Sequence, residues 1–533
     1  MQIKREPLLL FVLPVAVVVG AAYLQWALVG LPRLPTVPPY HASSEPSGFP
    51  AWLRITHFVN FLFLILLIRS GLQVLADHPR LYSNIHCTPG TEWLRFTKVT
   101  VPTDRIYTAK DDSVYLSPWI GLPGRRHTVG MARHWHFLSI LFWVGNGLIF
   151  IILLFTTHQW KRLVPTSLQI VPDAWAVFVH YATFHLPKEP QSFYHFNALQ
   201  QLSYFGVVFV LAPLAILTGP SMSPALTSRF SCYPKLPGNR QIGRSLHFLV
   251  MCMFVLFLVC HVAMVIITGF AQNMNHIVRG TDDGSSLGID LGLVGIVVVI
   301  GACVLAYLAA WKRPRLVQHL AKATVGHLVM APIDRFQSRS EFTRESISPF
   351  FWANGKMPTS PEWKELCKDE FTRYRLRVFG LVENPVELSL EDLRQMEKKT
   401  QITLHHCIQG WSGVAEWAGL PVARLIELVH PKADAGAVVF YSFGEGGEGG
   451  QFYDSLPLEN AKHPQTILAY EMNSEPLGPL HGAPLRLRVE NQLGFKMVKW
   501  IQSIEFVSSM KTVGEGEGGY NEDHEYFGEG AGI

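Results

Sequence analysis

Leu246-His-Phe-Leu-Val-Met-Cys-Met-Phe-Val-Leu-Phe-Leu-Val-Cys-His-Val-Ala-Met-Val-Ile-Ile-Thr-Gly-Phe270 is an apolar run long enough to cross a bilayer, which takes about 20 residues. It carries two histidines, His247 and His261, fourteen positions apart. In a helix of about 3.6 residues per turn and about 1.5 Å rise, the two rings share nearly one face and stand about 21 Å apart. A titratable ring in hydrocarbon is costly and needs a partner or a function. One such ring is explained by an interhelical hydrogen bond; a matched set calls for more.

Working outward, comparable runs occur at 8–31, 52–75, 135–157, 199–218 and 291–311, which predicts six spans, with a short interfacial helix at 174–184. His57 lies at the start of the second span and His136 at the start of the third, with His134 competing for the same place. Successive spans run in opposite directions, so His136 matches His247 in depth and His57 matches His261. Two bis-histidine haems b follow, one near each surface. Imidazole on both faces of an iron leaves no site for substrate and suits electron transfer.

Arg54-Ile-Thr-His57, Ala132-Arg-His-Trp-His136-Phe and the His247/His261 pair resemble the di-haem cytochrome b subunits of formate dehydrogenases and nickel–iron hydrogenases over roughly residues 50–310. The resemblance implies electron exchange between a quinone pool and a catalytic unit.

The remainder of the chain has another texture. Overall, 49% of the 533 residues are hydrophobic and 16% charged, with a mean hydropathy of +0.20. That average fits a membrane half fused to a soluble half. The net charge of +4 gives no case for nucleic acid, and the seven scattered cysteines form no disulfide framework or zinc pattern. From about residue 345, short β-rich runs at 374–379, 437–442 and 485–489 alternate with Gly/Pro turns and helical patches at 390–398 and 422–429. The expected architecture is an all-α transmembrane bundle (1–315), a linker (316–344), an α+β domain (345–510) and a flexible acidic, Gly-rich tail (511–533). The Gly-rich stretch 443–450 reads as a flexible loop.

Within the α+β part, Leu404-His-His-Cys407-Ile-Gln409-Gly-Trp-Ser-Gly-Val-Ala-Glu-Trp-Ala-Gly-Leu-Pro421 places one cysteine at the end of a β-run among Gly, Ser and Trp. Alone, such a cysteine is most often a small core residue; as a thiolate it is a soft metal ligand. The stretch resembles the sulfite oxidase-like molybdopterin fold, including its peptide-methionine-sulfoxide reductase branch. Further matches follow in order over about residues 345–508: Ser348-Pro-Phe-Phe-Trp-Ala-Asn354-Gly-Lys-Met357-Pro, Arg377-Val-Phe-Gly-Leu-Val-Glu-Asn-Pro385, Ser442, His481-Gly-Ala-Pro-Leu-Arg486-Leu and Gly494-Phe-Lys496-Met497-Val498-Lys499-Trp-Ile. The resemblance implies that Cys407 binds molybdenum beside a single molybdopterin. It also implies that Asn354, Met357, Ser442, His481, Arg486, Lys496, Met497, Val498 and Lys499 reach that cofactor. A pterin phosphate needs cations, which Arg486, Lys496 and Lys499 can supply. Cys407 and Gln409 are the catalytic candidates. Gln409 departs from the methionine-sulfoxide branch, which has an acidic residue there, and the arginine cluster of sulfite oxidation has no counterpart.

Basic residues orient the whole. Lys4, Arg5, the 80–133 loop (Arg80, Arg95, Lys98, Arg105, Lys110, Arg125, Arg126, Arg133), Arg229, Lys235, Arg240, Arg244 and Trp311-Lys-Arg-Pro-Arg315 would face the cytoplasm, with Lys161 and Arg162 dissenting. The amino terminus reads as a retained helix without a twin-arginine signal. The expectation is an enzyme in a bacterial inner membrane, with its α+β domain inside. Its partners would be lipid, a quinone or quinol and a small oxo-transfer substrate, with a homo-oligomer left open. An electron-carrying cytochrome or redox sensor without molybdenum, and a haem-free membrane scaffold, are the competing readings.

Overall fold

The computed structural model describes residues 5–36, 48–102, 104–124, 129–187, 192–230, 232–233, 235–330, 341–528 and 532–533. Lys4, Arg125 and Arg126 of the charge pattern lie outside them, as do residues 331–340 of the expected linker.

Five helices among the described residues are long and apolar enough to cross a membrane: α2 (Ala51–Asp77), α3 (Val129–Thr156), α4 (Ala198–Met222), α5 (Arg240–Ile267) and α6 (Leu287–Lys312). Helix α1 (Arg5–Val29) precedes them, with a described apolar stretch at Leu13–Val29. The protein is a multi-pass membrane protein. Helix α4 widens to a π-helix over Gly206–Leu211 just before Pro213. Proline lacks an N–H and crowds the preceding turn, and a wider turn accommodates both. The interfacial helix is Ile170–Ala182, tied to α1 by Trp175 Nε1 donating to Gln25 Oε1 at 2.6 Å.

Helices α3 and α5 each begin six residues before their apolar runs. The Asn239 side chain caps α5, accepting from the backbone N–H of Gln241 and Ile242. These first turns project toward the α+β domain. That of α5 (Arg240, Gln241, Gly243, Arg244) is polar and leaves no apolar signal, and Arg133 and His134 separate the start of α3 from its apolar run.

The α+β domain has two five-stranded sheets. The strands are β1 (Arg375–Gly380), β2 (Val386–Ser389), β3 (Lys399–His406), β4 (Ser412–Pro421), β5 (Ala437–Glu445), β6 (Gln451–Pro457), β7 (Thr466–Met472), β8 (Glu475–Pro476), β9 (Arg486–Val489) and β10 (Ile501–Val507). One sheet runs β8-β7-β4-β3 with β9 also on β7; the other runs β2-β1-β10-β5-β6. Only β10 and β1 are parallel, with Ile504 opposite Val378. β4 is buried at every position, as a central strand between two layers must be. The main core joins Leu376, Leu420, Leu425, Phe440, Leu468 and Ile504.

Residues 78–124, between α2 and α3, belong to this domain as much as to the membrane half. They form a small ribbon, with Arg80 opposite Arg95. Tyr82, Cys87 and Ala109 share one apolar cluster with Trp352, Cys407 and Trp411. Arg80 is fully buried and donates to Asp112 and to Glu92.

Residues 511–528 correct the expectation of a flexible tail (511–533) over that stretch. Tyr520–His524 is a helix, and Tyr520, Glu522, Asp523 and Phe527 are buried. Arg315 and Gln318, on the helix Pro314–Ala321 where a linker was expected, donate to the Glu522 carbonyl at 2.8 and 3.1 Å. The 443–450 loop is likewise held, since Tyr520 OH accepts from Glu448 N–H and donates to Gly449 O. Glycine and glutamate content reads as disorder because the burial comes from distant partners.

Lys496 is a second correction. It is buried against Asp454 and Glu522, with Glu522 at 2.9 Å and the Gly518 carbonyl at 3.0 Å. Burial alone would lower its ammonium; the two carboxylates hold it above its ordinary range. It therefore anchors the tail and has no charge to offer a phosphate. Lys496→Met should strand two buried carboxylates and cost about 3–5 kcal/mol. The expected readout is a lower Tm in detergent and new protease cleavage in residues 511–528, with partial rescue by adding Asp454→Asn and Glu522→Gln.

Candidate functional site

Cys407 follows the last residue of β3 and opens a tight turn into β4. Its N–H donates to Trp411 O, and Gly410 N–H donates to Cys407 O, both at 3.1 Å. Gly410 has φ +112°, which only glycine adopts without strain. The turn points the thiol into a cavity of about 190 Å³. Cys407 Sγ lies 3.7 Å from Gln409 Oε1 and 3.9 Å from Asn354 Nδ2. Burial pushes the thiol up to about 12, so it becomes a thiolate only beside a strong positive charge such as a metal.

Opposite the thiol, Arg486 and Lys499 line the cavity. Arg486 donates to His481 O at 3.1 Å and its Nε is buried without a partner among the described residues. Lys499 Nζ donates to Leu480 O at 3.2 Å. Burial and the neighbouring Arg488 push Arg486 down to about 9, and burial with Arg486 pushes Lys499 well below its usual range. Two buried cationic groups, each lowered by burial and by a neighbouring arginine, form a site that favours an anion. Ser442 Oγ donates to Lys499 O at 2.7 Å and accepts from Gly444 N–H at 2.9 Å, which fixes the cavity wall there. The residues present fit a phosphate-bearing cofactor with a thiolate-bound metal.

Of the expected residues, Asn354, Cys407, Gln409, Ser442, Arg486, Met497 and Lys499 line this one cavity. His481 lies beside it, its ring edge-on to Phe351 at 5.9 Å and its Nδ1 buried and unpartnered among the described residues. Met357 and Val498 pack their side chains in the main apolar core, and Lys496 is taken by its carboxylates. Gln409 donates to the carbonyls of Asp77 (3.4 Å) and Ala109 (3.5 Å), across to the membrane half. Sequence reasoning missed the walls from outside the α+β domain, namely Asp77, Lys110, Ser113 and Val129, and Glu525 and Phe527 of the tail. For Lys110 and Ser113 the only sequence signal is the polar density of the loop between α2 and α3; the others have none.

In the bundle, His136 and His247 have ring centres 6.3 Å apart, and His57 and His261 6.2 Å. Two metal–nitrogen bonds of about 2 Å plus the two half-rings fill such a gap. His136 Nδ1 lies 3.1 Å from Ser70 Oγ, and His247 Nδ1 lies 3.0 Å from Thr218 Oγ1. These hydroxyls turn each Nε2 toward the other ring, as outer partners of metal ligands do. His134 instead contacts the Tyr526 carbonyl at 2.9 Å.

The family model for prokaryotic cytochrome b561 matches residues 48–280, and that for the oxidoreductase molybdopterin-binding domain matches residues 364–513. The chain joins a cytochrome b domain, over the first of these matches, to a molybdopterin oxidoreductase domain, over the second. It is 33% identical over 139 residues to the uncharacterized oxidoreductase YuiH of Bacillus subtilis, covering 26% of this chain and 67% of that one. It is 32% identical over 144 residues to the protein-methionine-sulfoxide reductase catalytic subunit MsrP of Campylobacter jejuni (25% and 48%). To MsrP of Xanthomonas campestris pv. campestris it is 30% identical over 188 residues (33% and 58%). The chain thus spans about half the length of these reductase subunits. The sulfane dehydrogenase SoxCD of Paracoccus pantotrophus matches at 24% identity over 26% of this chain and 40% of that one, with a TM-score of 0.24.

This molybdopterin oxidoreductase should lose its cofactor when the anion site is emptied. Purified Arg486→Met protein should carry less than about a tenth of the wild-type molybdenum at an unchanged haem spectrum, by metal analysis and visible absorbance.

Proposed function

We propose that this oxidoreductase removes an oxygen atom from a small S-oxide or N-oxide, taking electrons from membrane quinol through two haems b. The observation that carries the reading is a shared wall. Val129, the first residue of α3, lines the cavity that holds Cys407, and His136 stands seven residues along the same helix, about 10 Å on. This shared helix supports a reading in which the His136 haem lies close to the cavity of Cys407.

His136 with His247 and His57 with His261 are the proposed axial ligands of the two haems. The Cys407 thiolate is the proposed ligand of molybdenum; Arg486 and Lys499 hold the pterin phosphate, and Asn354, Ser442 and His481 border the pterin. Bound, the metal supplies two-electron oxygen-atom chemistry and the haems supply single electrons. The protein's own residues keep the thiol buried, exclude bulk water and fix the distance between the centres. The reductase direction is supported by the names of the relatives. The cytoplasmic side is supported by the positive charge of the 80–133 loop, Lys235 and Lys312–Arg315.

Dithionite-reduced protein should be reoxidised by methionine sulfoxide or a dialkyl S-oxide, followed in the haem b spectrum. Cys407→Ala should abolish reoxidation with the haem intact; full reoxidation in that variant would sink the molybdenum assignment. His247→Ala and His261→Ala should each remove about half of the low-spin haem b absorbance; a spectrum unchanged in both would sink the ligand assignment.

A further inference from the structure

Removing oxygen from an S-oxide as water breaks one S–O bond, forms two O–H bonds, and consumes two electrons and two protons. On the reading above the electrons come from quinol through the haems. The protons must come from solvent through an acid on the cavity wall. Position 409 holds a carboxamide, which cannot deliver a proton, and its amide is committed to the carbonyls of Asp77 and Ala109. His405 is fully enclosed, receives Arg488 at 3.1 Å and is kept unprotonated by burial and the nearby arginines. Arg486 and Lys499 form the anion site. Asp77 is buried on the side of the Cys407 thiol.

Glu525 remains. It lines the same cavity, from the tail that lies beyond the molybdopterin family match, and is half-buried there. Gly447 shows how it is placed. A Cβ there would stand 2.9 Å from Lys110 Nζ and 3.0 Å from Glu525 Oε1, so the missing side chain leaves room for ammonium and carboxyl to share one corner. The Tyr520 clamp on the 443–450 loop holds that corner in shape.

We propose that Glu525 is the carboxyl that passes protons into the oxo-transfer cavity, with Lys110 as its positioning partner. It gives up one proton, rebinds another from water at the cavity mouth, and gives up the second. The groups facing it are Lys110 from the 78–124 segment, Asp77 from the end of α2 and Glu448 from the β5–β6 loop. Burial raises its carboxyl to about 7, Lys110 opposes the rise, and Asp77 and Glu448 add to it. A general acid works in its protonated form, so turnover should fall as pH rises through about 7.

The proposal rests on the reductase reading, and two readouts separate them. In the full-length holoprotein, infrared pH titration should show a protonated carboxylic acid band that disappears near neutral pH and is absent from Glu525→Gln. In stopped-flow reoxidation by methionine sulfoxide, Glu525→Gln should lose about 100-fold in rate and its alkaline limb, at unchanged molybdenum and haem content. Glu525→Asp should recover part of the rate. Lys110→Met should move the alkaline limb to higher pH, because a lowering charge is removed; a purely structural role for either residue predicts no such shift. Wild-type rate and pH profile in Glu525→Gln, or a titrating band that survives in it, would overturn the proposal. A wild-type protein that no S-oxide or N-oxide reoxidises would overturn the reductase reading alone, leaving the infrared band to decide the carboxyl.

Discussion

The hydrogen bonds between the first turn of α5 and the cysteine turn are the constraint on which the rest depends. Arg240 donates to Gly410 O at 3.2 Å and Trp411 O at 3.4 Å, and Gln241 Nε2 donates to Gly410 O at 3.0 Å and Ser412 Oγ at 3.1 Å. Arg244, one turn on, binds the carbonyls of His78 and Arg80 at 2.7 Å each. Its guanidinium lies 3.3 Å from where a Gly410 Cβ would stand. Gly410 is thus required twice, by its dihedral and by the approach of an arginine. The same rod that carries His247 and His261 holds the turn that presents Cys407. Hydrogen bonds from a charged donor contribute about 1.5–3 kcal/mol each, enough in this number to fix a helix against a domain.

In the α+β domain and the 78–124 segment, these buried cations divide by what neutralises them, and the division separates architecture from the cavity. Arg80 has Asp112 and Glu92; Arg488 has Glu490 at 2.7 Å; Lys496 has Asp454 and Glu522. These are structural pairs, whose loss leaves stranded charge. Arg486 and Lys499 have backbone carbonyls and aromatic faces, with Arg486 4.9 Å from the Trp417 ring and Lys499 4.0 Å from Trp500. Among the described residues they make no carboxylate pair. Aromatic faces stabilise a cation without cancelling its charge, which leaves the pair able to attract an anion. Sequence alone ranks Arg486, Lys496 and Lys499 together, because the carboxylates that separate them come from β6 and the tail.

What was legible followed from local rules. Apolar length located the long helices, the fourteen-residue spacing in α5 matched its histidines with those of α2 and α3, and most of the motif residues from Asn354 to Lys499 meet at one cavity. What was not legible came from long-range contacts. Lys110 and Glu525 are more than 400 positions apart, and each alone reads as a solvated charge. The tail reads as disordered until Gln318, Lys496 and Tyr453 are known to face it. Met357 and Val498 sit within cofactor motifs, yet packing turns their side chains into the core. A motif fixes the course of the backbone more firmly than the destination of each side chain.

The placement of residues 78–124 bears on how electrons would move. With Tyr82, Cys87 and Ala109 in the same apolar cluster as Cys407 and Trp411, the α+β domain cannot close that part of its core without the membrane half. Burying those side chains is worth on the order of several kcal/mol, and it is lost if the halves separate. A docking that shares a core is not one that opens in each cycle, unlike the smaller, more polar contacts between mobile domains. On the proposed assignment, the His136/His247 pair and the cavity stay at a constant distance along α3. Lys110, the 443–450 loop and the tail supply the part of the cavity wall that lies outside the shared apolar cluster.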